Sequence, residues 1–346
     1  MVCVIYSDEF LNHDTGPAHP ESPLRLRAVT RYLKGQSHLR SLQWRSPNPL
    51  CPDLVTTVIS RAHSLDYVAQ VEKLAKQGGG ALDADTPVSP CSYNVGLLAV
   101  QAWLDGLDYV YQRSRKGQRL NKQKLDNQKQ AHHQKHNERE SKEDPQLRPY
   151  AFVLARPPGH HACRQRGMGF CLFSNAAIAA LKGLTLLGID RVAIVDWDVH
   201  HGNGTQDIVQ NHREIAYCSI HQSPAYPGTG VPSPQDAEQE LGNHVLNIPV
   251  APGTDFAAYR KAWAINILPF LRDFEPDLLI VSAGYDATAA DPLAALLLTP
   301  ENYQWLSDSL LSLSCPIVFG LEGGYDVETL AQCVDYTLRP LLRIVS

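Results

Sequence analysis

The stretch Arg191-Val192-Ala193-Ile194-Val195-Asp196-Trp197-Asp198-Val199-His200-His201-Gly202-Asn203 decides how this chain is read. It opens as a short apolar run rich in Val and Ile, the pattern of a parallel strand buried on both faces. It then passes at once into residues that bind metals or move protons. The same design recurs where Ala151–Ala155 runs into Arg156-Pro157-Pro158-Gly159-His160-His161, where Asp277–Val281 runs into Ser282-Ala283-Gly284-Tyr285-Asp286, and where Pro316–Gly320 runs into Leu321-Glu322-Gly323-Gly324-Tyr325-Asp326. Further strand candidates are Met1–Tyr6, Glu214–Ile220 and His244–Ile248. Helical spacing of apolar residues falls between them, over Leu24–Leu33, Asp66–Lys76, Tyr93–Tyr111, Ser174–Leu187, Phe256–Leu271, Pro300–Leu313 and Val327–Ile344. Such alternation predicts an α/β fold: a single three-layer αβα domain with a mainly parallel central sheet. In an open α/β sheet ligands bind outside the carboxyl ends of the strands. Motifs far apart in sequence are therefore expected to meet in one crevice.

Composition sets the frame around that core. A hydrophobic content of 44% over 346 residues supports one large domain spanning 1–346. No apolar stretch is long enough for a membrane span, and the first residues read as a strand rather than a secretory leader, so a cytoplasmic, intracellular protein is expected. Eight cysteines occur without any Cys-x-x-Cys pair, which argues against a disulfide framework or a zinc knuckle. Cys163 and Cys171 flank the expected crevice and are read as packed thiols. The net charge of −5 is uneven: residues 112–148 hold 11 Lys/Arg and 5 Asp/Glu, leaving 20 basic and 31 acidic residues elsewhere. That segment is polar and nearly free of large apolar side chains. It is read as a flexible insertion or a partly helical excursion, with His132, His133 and His136 as solvated side chains, and not as a nucleic-acid arm.

The polar clusters carry the chemistry. Asp198 and His200 stand i, i+2 beyond a strand, so on extended backbone their side chains point the same way and suit two ligands of one metal. Asp286, at the equivalent place after another strand, offers a third. Two carboxylates and an imidazole with an open position describe a catalytic zinc site rather than a closed structural one. His160 and His161 sit on a rigid Pro-Pro-Gly turn and read as a proton-transfer pair. An anionic partner such as Asp196 would favour imidazolium on one ring and a neutral partner such as Asn203 would leave the other neutral. Tyr325, after Gly323-Gly324, is placed to donate to a developing oxyanion.

Five strings resemble the zinc-dependent histone deacetylase family, its class II branch and its bacterial relatives in particular: Arg156–Ala162, Gly167-Met168-Gly169-Phe170-Cys171, Asp196–Thr205, Ser282–Asp286 and Glu322–Tyr325. The resemblance starts at His19-Pro20-Glu21 and Arg25 and covers nearly the whole chain, residues 112–148 excepted. It implies an arginase/deacetylase-like fold and Zn(2+) held by Asp198, His200 and Asp286. It makes His161 the general base and then acid, pairs His160 with Asp196 and His161 with Asn203, and has Tyr325 polarise the amide carbonyl. Gly169, Phe170 and Tyr226 would line the channel for an acyl-lysine stem, Tyr226 standing where many relatives have phenylalanine. Asp85 would grip the substrate backbone at the rim. A structural K(+) held largely by backbone carbonyls near Asp196, Asp198, His200, Ser219 and Ile220 is also implied.

The expected reaction is hydrolysis of acyl-lysine side chains or related acylated amines to acetate and free amine. Leu293, in Asp291-Pro292-Leu293, stands where polyamine-selective relatives carry a glutamate, which favours acyl-lysine or neutral amides over acetylpolyamines. Alternatives are an acetylpolyamine or small acetyl-amide deacetylase, an arginase-like ureohydrolase and a non-catalytic acyl-lysine binder. The expected partners are acylated proteins, peptides or small amines, with no membrane and no direct nucleic-acid contact; an oligomer is left open.

Overall fold

The computed structural model describes residues 2–131 and 149–343 apart from 234, 236–237 and 240–241, with the backbone alone over 116–131. Eight strands form one sheet: β1 (Val2–Ile5), β2 (Gln43–Arg45), β5 (Tyr150–Val153), β6 (Val192–Asp196), β7 (Ile215–Gln222), β8 (Val245–Val250), β9 (Leu278–Ala283) and β10 (Ile317–Leu321). Their order is β2-β1-β5-β10-β9-β6-β7-β8, and every pairing is parallel. A separate two-residue ribbon, β3 (Gly80–Ala81) with β4 (Pro87–Val88), is antiparallel. The four strands that carry the polar clusters, β5, β10, β9 and β6, are neighbours at the centre and are buried along their whole length. Continuous apolar runs are what such positions require.

Helices cover both faces. The principal ones are α1 (Pro23–Gly35), α2 (Ser60–Ala62), α3 (Leu65–Lys76), α4 (Ser92–Ala131), α5 (Asn175–Gly183), α6 (Asn203–Val209), α7 (Phe256–Ala262), α8 (Leu268–Phe274), α9 (Asn302–Leu310) and α10 (Val327–Arg343). Neighbouring residues of β10 show the two layers, because successive side chains in a strand point to opposite faces. Val318 lies against Gly106 of α4, where a Cβ would come within 3.2 Å of it. Phe319 instead packs on Trp197 at 6.0 Å between centroids, and Trp197 in turn meets Tyr303 of α9 and Trp263. Three layers result, as expected from the sequence.

Several boundaries differ from expectation for identifiable reasons. The helix expected over Ser174–Leu187 stops at Gly183, where α5 runs so close to the sheet that a Cβ would meet Leu278 at 3.0 Å. The one expected over Phe256–Leu271 is α7 and α8 joined through a wider π-type turn at Trp263–Ile267, and it ends with Glu275 in a left-handed conformation. The edge strand β2 and the short α6 were not expected. Helix α4 continues past Tyr111 to Ala131, so 112–131 is helical, the alternative of a helical excursion. Residues 132–148, with His132, His133 and His136, lie outside the described residues.

Trp103 of α4 covers Gly320 so closely that a Cβ there would fall 1.9 Å from the indole. Gly320→Ala should therefore destabilise by about 1–3 kcal/mol through overpacking. The check is the urea midpoint of the purified variant; an unchanged midpoint would contradict the contact.

Candidate active site

The central strands end level with one another. Asp196 is in register with both Ser219 and Ser282, Gly320 pairs with Ser282, and Gly320 also pairs with Val153. Everything that follows these strands is thus delivered to one edge.

Asp198, His200 and Asp286 meet there, one ligand atom from each lying within 4.8 Å of the others, and all three are buried. His200 Nδ1 is 3.1 Å from Asp198 Oδ1 and 3.2 Å from Asp286 Oδ2. The route to convergence differs from the expected extended backbone. The chain bends after β6, and the His200 N–H donates to Asp198 Oδ1 at 2.9 Å. A short aspartate side chain capturing the N–H two residues on makes a tight turn, and this turn, not strand alternation, brings the two side chains together. The other donors to the carboxylates come from the main chain: Val199 N–H to Asp286 Oδ1 at 2.9 Å and Gly323 N–H to Asp198 Oδ2 at 2.8 Å. Gly323 has to be glycine, since a Cβ would lie 2.1 Å from Asp286 Oδ2.

Asp286 Oδ2 is buried and accepts no hydrogen bond; its contact with His200 lacks hydrogen-bond geometry. A buried carboxylate oxygen without a donor is costly unless it faces a cation. Two carboxylates, one imidazole and this free oxygen fit a zinc ion with a position left open. A second grouping, His160, Cys171 and Glu322, is equally compact. Its ligand atoms are already engaged, Glu322 by the N–H groups of Gly159 and His160 and by the Ser282 hydroxyl, and Cys171 Sγ by the His161 N–H. The first grouping is the metal candidate.

Beside it the two histidines stand 4.0 Å apart, ring to ring. His160 Nδ1 reaches Asp196 Oδ2 at 3.1 Å, whereas His161 Nδ1 reaches Asn203 Oδ1 at 2.8 Å. Burial works against charge on both. For His160 the Asp198 and Asp196 carboxylates overcome it and raise the pKa to about 10. For His161 burial, reinforced by the charge on His160, holds it well below its ordinary value. The expected division into one charged and one neutral ring is present in the geometry.

Two aromatic rings and a left-handed turn gather beside the histidine pair. Gly169 has φ +55 and Phe170 φ +69, and a Cβ on Gly169 would fall 2.5 Å from the His161 ring. Phe170 meets Tyr325 edge-on at 5.7 Å, and Tyr226 stands perpendicular to His161 at 5.0 Å. Phe170 N–H donates to Thr86 Oγ1 at 3.0 Å, which ties the channel to the loop bearing Asp85. Asp85 is half-buried, its pKa raised by burial and by Asp83. Leu293 is exposed. Ser219 lies beside Asp196 in register and Ile220 follows it.

Three groups essential to this arrangement stand inside motifs quoted above but received no role from the sequence. Glu322 anchors the Pro-Pro-Gly-His turn. Asp291 accepts the Tyr325 N–H at 2.7 Å and has its pKa raised to about 7 by burial and by Asp286. Glu21 is fully buried between Arg156, bound through both carboxylate oxygens at 2.7 and 2.6 Å, and Arg25 at 3.2 Å. Arg25 then donates to Gly324 O at 2.7 Å and to Glu322 O. The only local signal was a charged residue inside an otherwise apolar or glycine-rich motif.

A histone deacetylase domain matches residues 19–341. This chain belongs to the histone deacetylase family. A histone deacetylase-like amidohydrolase of Pseudomonas aeruginosa is 32% identical over 83% of this chain and 66% of its own length. A probable deacetylase of Archaeoglobus fulgidus is 32% identical over 94% of this chain and 81% of its own. An uncharacterized protein of Synechocystis sp. is 49% identical over 99% of this chain and the whole of its own. The crystal structure of the HDA15 HD domain matches with a TM-score of 0.81 and 27% identity, covering 99% of this chain and 90% of that one. The chain is thus a hydrolase of amide bonds, of the deacetylase type.

Glu21 offers a test of the frame beneath the site. Burial would raise its pKa, but Arg156 and Arg25 bring it down from 4.5 to about 2. With the folded value below the unfolded one, its contribution is present above pH 4.5 and is lost as the pH falls toward 2. Glu21→Gln leaves two buried guanidinium groups without a counter-charge and should cost about 3–5 kcal/mol at neutral pH. Denaturant unfolding should show that loss at pH 7 and a smaller one at pH 3; equal stability of the two proteins at pH 7 would refute the account.

Proposed function

We propose that this deacetylase removes acetyl groups from acyl-lysine side chains with a zinc ion held by Asp198, His200 and Asp286. The observation that carries this reading is the undonated, buried Asp286 Oδ2 beside a neutral and a charged histidine. When bound, zinc supplies Lewis acidity toward the carbonyl and lowers the pKa of water.

The side chains supply the rest. Asn203 Oδ1 accepts from His161 Nδ1, which leaves Nε2 as the unprotonated nitrogen facing the reaction. His161 there takes the proton of the attacking water and returns it to the leaving amine. His160, held as imidazolium by Asp196, keeps positive charge next to the developing oxyanion without competing for that proton. The Tyr325 phenol, its pKa held well above 10 by burial, stays protonated and donates to the carbonyl oxygen. The products are acetate and the free amine.

In this reading Gly169, Phe170 and Tyr226 wall the lysine methylene stem, and Asp85 holds the substrate backbone. A structural potassium ion beside Asp196, held by Ser219 and Ile220 carbonyls, remains part of this proposal. Among the described residues no helix is long and apolar enough to cross a membrane. A cytoplasmic location is part of this proposal, and there the eight cysteines, none of them in a disulfide, would stay reduced.

Metal removal tests the core of the reading. Dialysis against a chelator should abolish turnover of a fluorogenic acetyl-lysine amide, zinc at one ion per chain should restore it, and a hydroxamate should inhibit; full turnover in verified metal-free protein would sink it. A second test concerns the substrate. Leu293 offers no charge to a second ammonium, and desolvating a cation beside it is unfavourable. Catalytic efficiency should accordingly be higher on an acetyl-lysine peptide than on acetylspermidine, and the reverse order would move the assignment to polyamines.

A further inference from the structure

The turn Glu322-Gly323-Gly324-Tyr325 has almost every main-chain polar atom captured by another part of the chain. Gly323 N–H donates to Asp198 Oδ2 at 2.8 Å, and Gly323 O accepts from Tyr285 N–H at 3.1 Å. Glu322 N–H donates to Ala283 O at 3.0 Å, and Arg25 donates to the carbonyls of Glu322 and Gly324. These contacts fix the glycines. The N–H of Tyr325, which sets where the phenol leaves the main chain, goes elsewhere: it donates to Asp291 Oδ2 at 2.7 Å. The other oxygen of that carboxylate, Oδ1, accepts the Leu293 N–H at 3.0 Å.

Asp291 therefore has one oxygen on the turn of Tyr325 and one on the main chain of Leu293, the residue proposed for the substrate rim. It is 6% exposed, while Leu293, two residues on, is 43% exposed. The local half of this arrangement is ordinary, since Asp followed by Pro commonly captures the N–H two residues ahead. Serine or threonine would serve that purpose without burying a charge, which is costly. What a longer carboxylate adds is reach to Tyr325. The segment behind it is also fixed, with Asp291 N–H on Thr288 O at 3.1 Å and Ala289 N–H on Leu298 O at 3.0 Å, so the carboxylate is presented from a firm base.

We infer that Asp291 is a positioning residue for the Tyr325 phenol, latching the tyrosine turn to the substrate rim at Leu293. This rests on the reading of Tyr325 as the donor to the carbonyl oxygen. The latch keeps the phenol toward Phe170 and the metal ligands instead of letting the Gly-Gly hinge swing it out. It also makes the rim and the oxyanion donor one mechanical unit, so pressure of a substrate on Leu293 is felt at Tyr325.

The test is a double-mutant cycle on the zinc-loaded enzyme with an acetyl-lysine amide. Asp291→Ser retains a hydroxyl able to hold the Leu293 N–H but cannot reach Tyr325. With zinc content and circular dichroism matching the parent, kcat should fall roughly tenfold or more, the effect of losing a hydrogen bond to a charged group. In the Tyr325→Phe background the same substitution should change kcat by less than about twofold, because the group it positions is gone. Equal losses in both backgrounds, or an unchanged kcat in the parent, would overturn the inference. Should Asp291→Ser fail to fold, Asp291→Asn preserves the shape and still leaves one of the two N–H groups without an acceptor, with the same expected pattern and the same overturning result. Tyr325→Phe is measured first: wild-type turnover there would overturn the role of the phenol itself, a failure distinct from additivity in the cycle.

Discussion

Four carboxylates, Asp196, Asp198, Asp286 and Glu322, are fully buried at the carboxyl edge of the sheet, and the structure around them is organised by that concentration of negative charge. Removing a carboxylate from water is expensive unless it is paired and hydrogen-bonded. Main-chain N–H groups of Gly159, His160, Val199, His200 and Gly323 meet part of the demand. His160 supplies a positive charge between Asp196 and Asp198. A divalent cation held by Asp198 and Asp286, as proposed, would offset more of it. The same field explains why adjacent histidines behave differently: His160 contacts carboxylates, while His161 is turned to the neutral Asn203 amide.

The sheet makes such crowding attainable because parallel strands end level, and the loops leaving them can donate N–H groups inward. Glycine is what lets the loops come close. At Gly284 a Cβ would lie 2.0 Å from Asp198 Oδ2, and at Gly169 the main chain comes against the His161 ring. Behind the edge, Trp197, Trp263, Tyr285 and Tyr303 fill the space under one face. The metal-binding loop therefore rests on a stiff aromatic layer and not on water.

These facts also account for what the sequence made legible. Central strands announce themselves because burial on both faces demands unbroken Val, Ile, Leu and Phe. β2, Gln43-Trp44-Arg45, lies at the edge, is only partly buried and carries no such run. The residues proposed to hold the metal and move protons were visible because each lies just past a legible strand. Asp291, Glu322 and the Glu21–Arg156 pair were hidden because their partners are distant in sequence, and local pattern cannot report a contact between residues 21 and 156. The polar composition of 112–131 indicated only that the segment lacks a buried face. Lys, Arg and Gln are nonetheless good helix formers, and the packed start of α4 provides the nucleus that an isolated helix of this kind would lack.

A Gly-Gly hinge has to present the phenol proposed as the oxyanion donor. Glycine permits the turn, with φ +116 at Gly324, but its freedom would scatter Tyr325 over many orientations. The chain resolves the conflict with polar contacts and not with packing, since bulk at Gly323 would strike the metal carboxylates. Arg25 takes the carbonyls, Asp198 and Asp291 take the N–H groups, and Glu21 holds Arg25 in place. Where the phenol leaves the main chain is thereby set by buried charges, Asp198 of the proposed metal site among them, so that in the proposed reaction it would not need to reorganise as negative charge develops on the substrate.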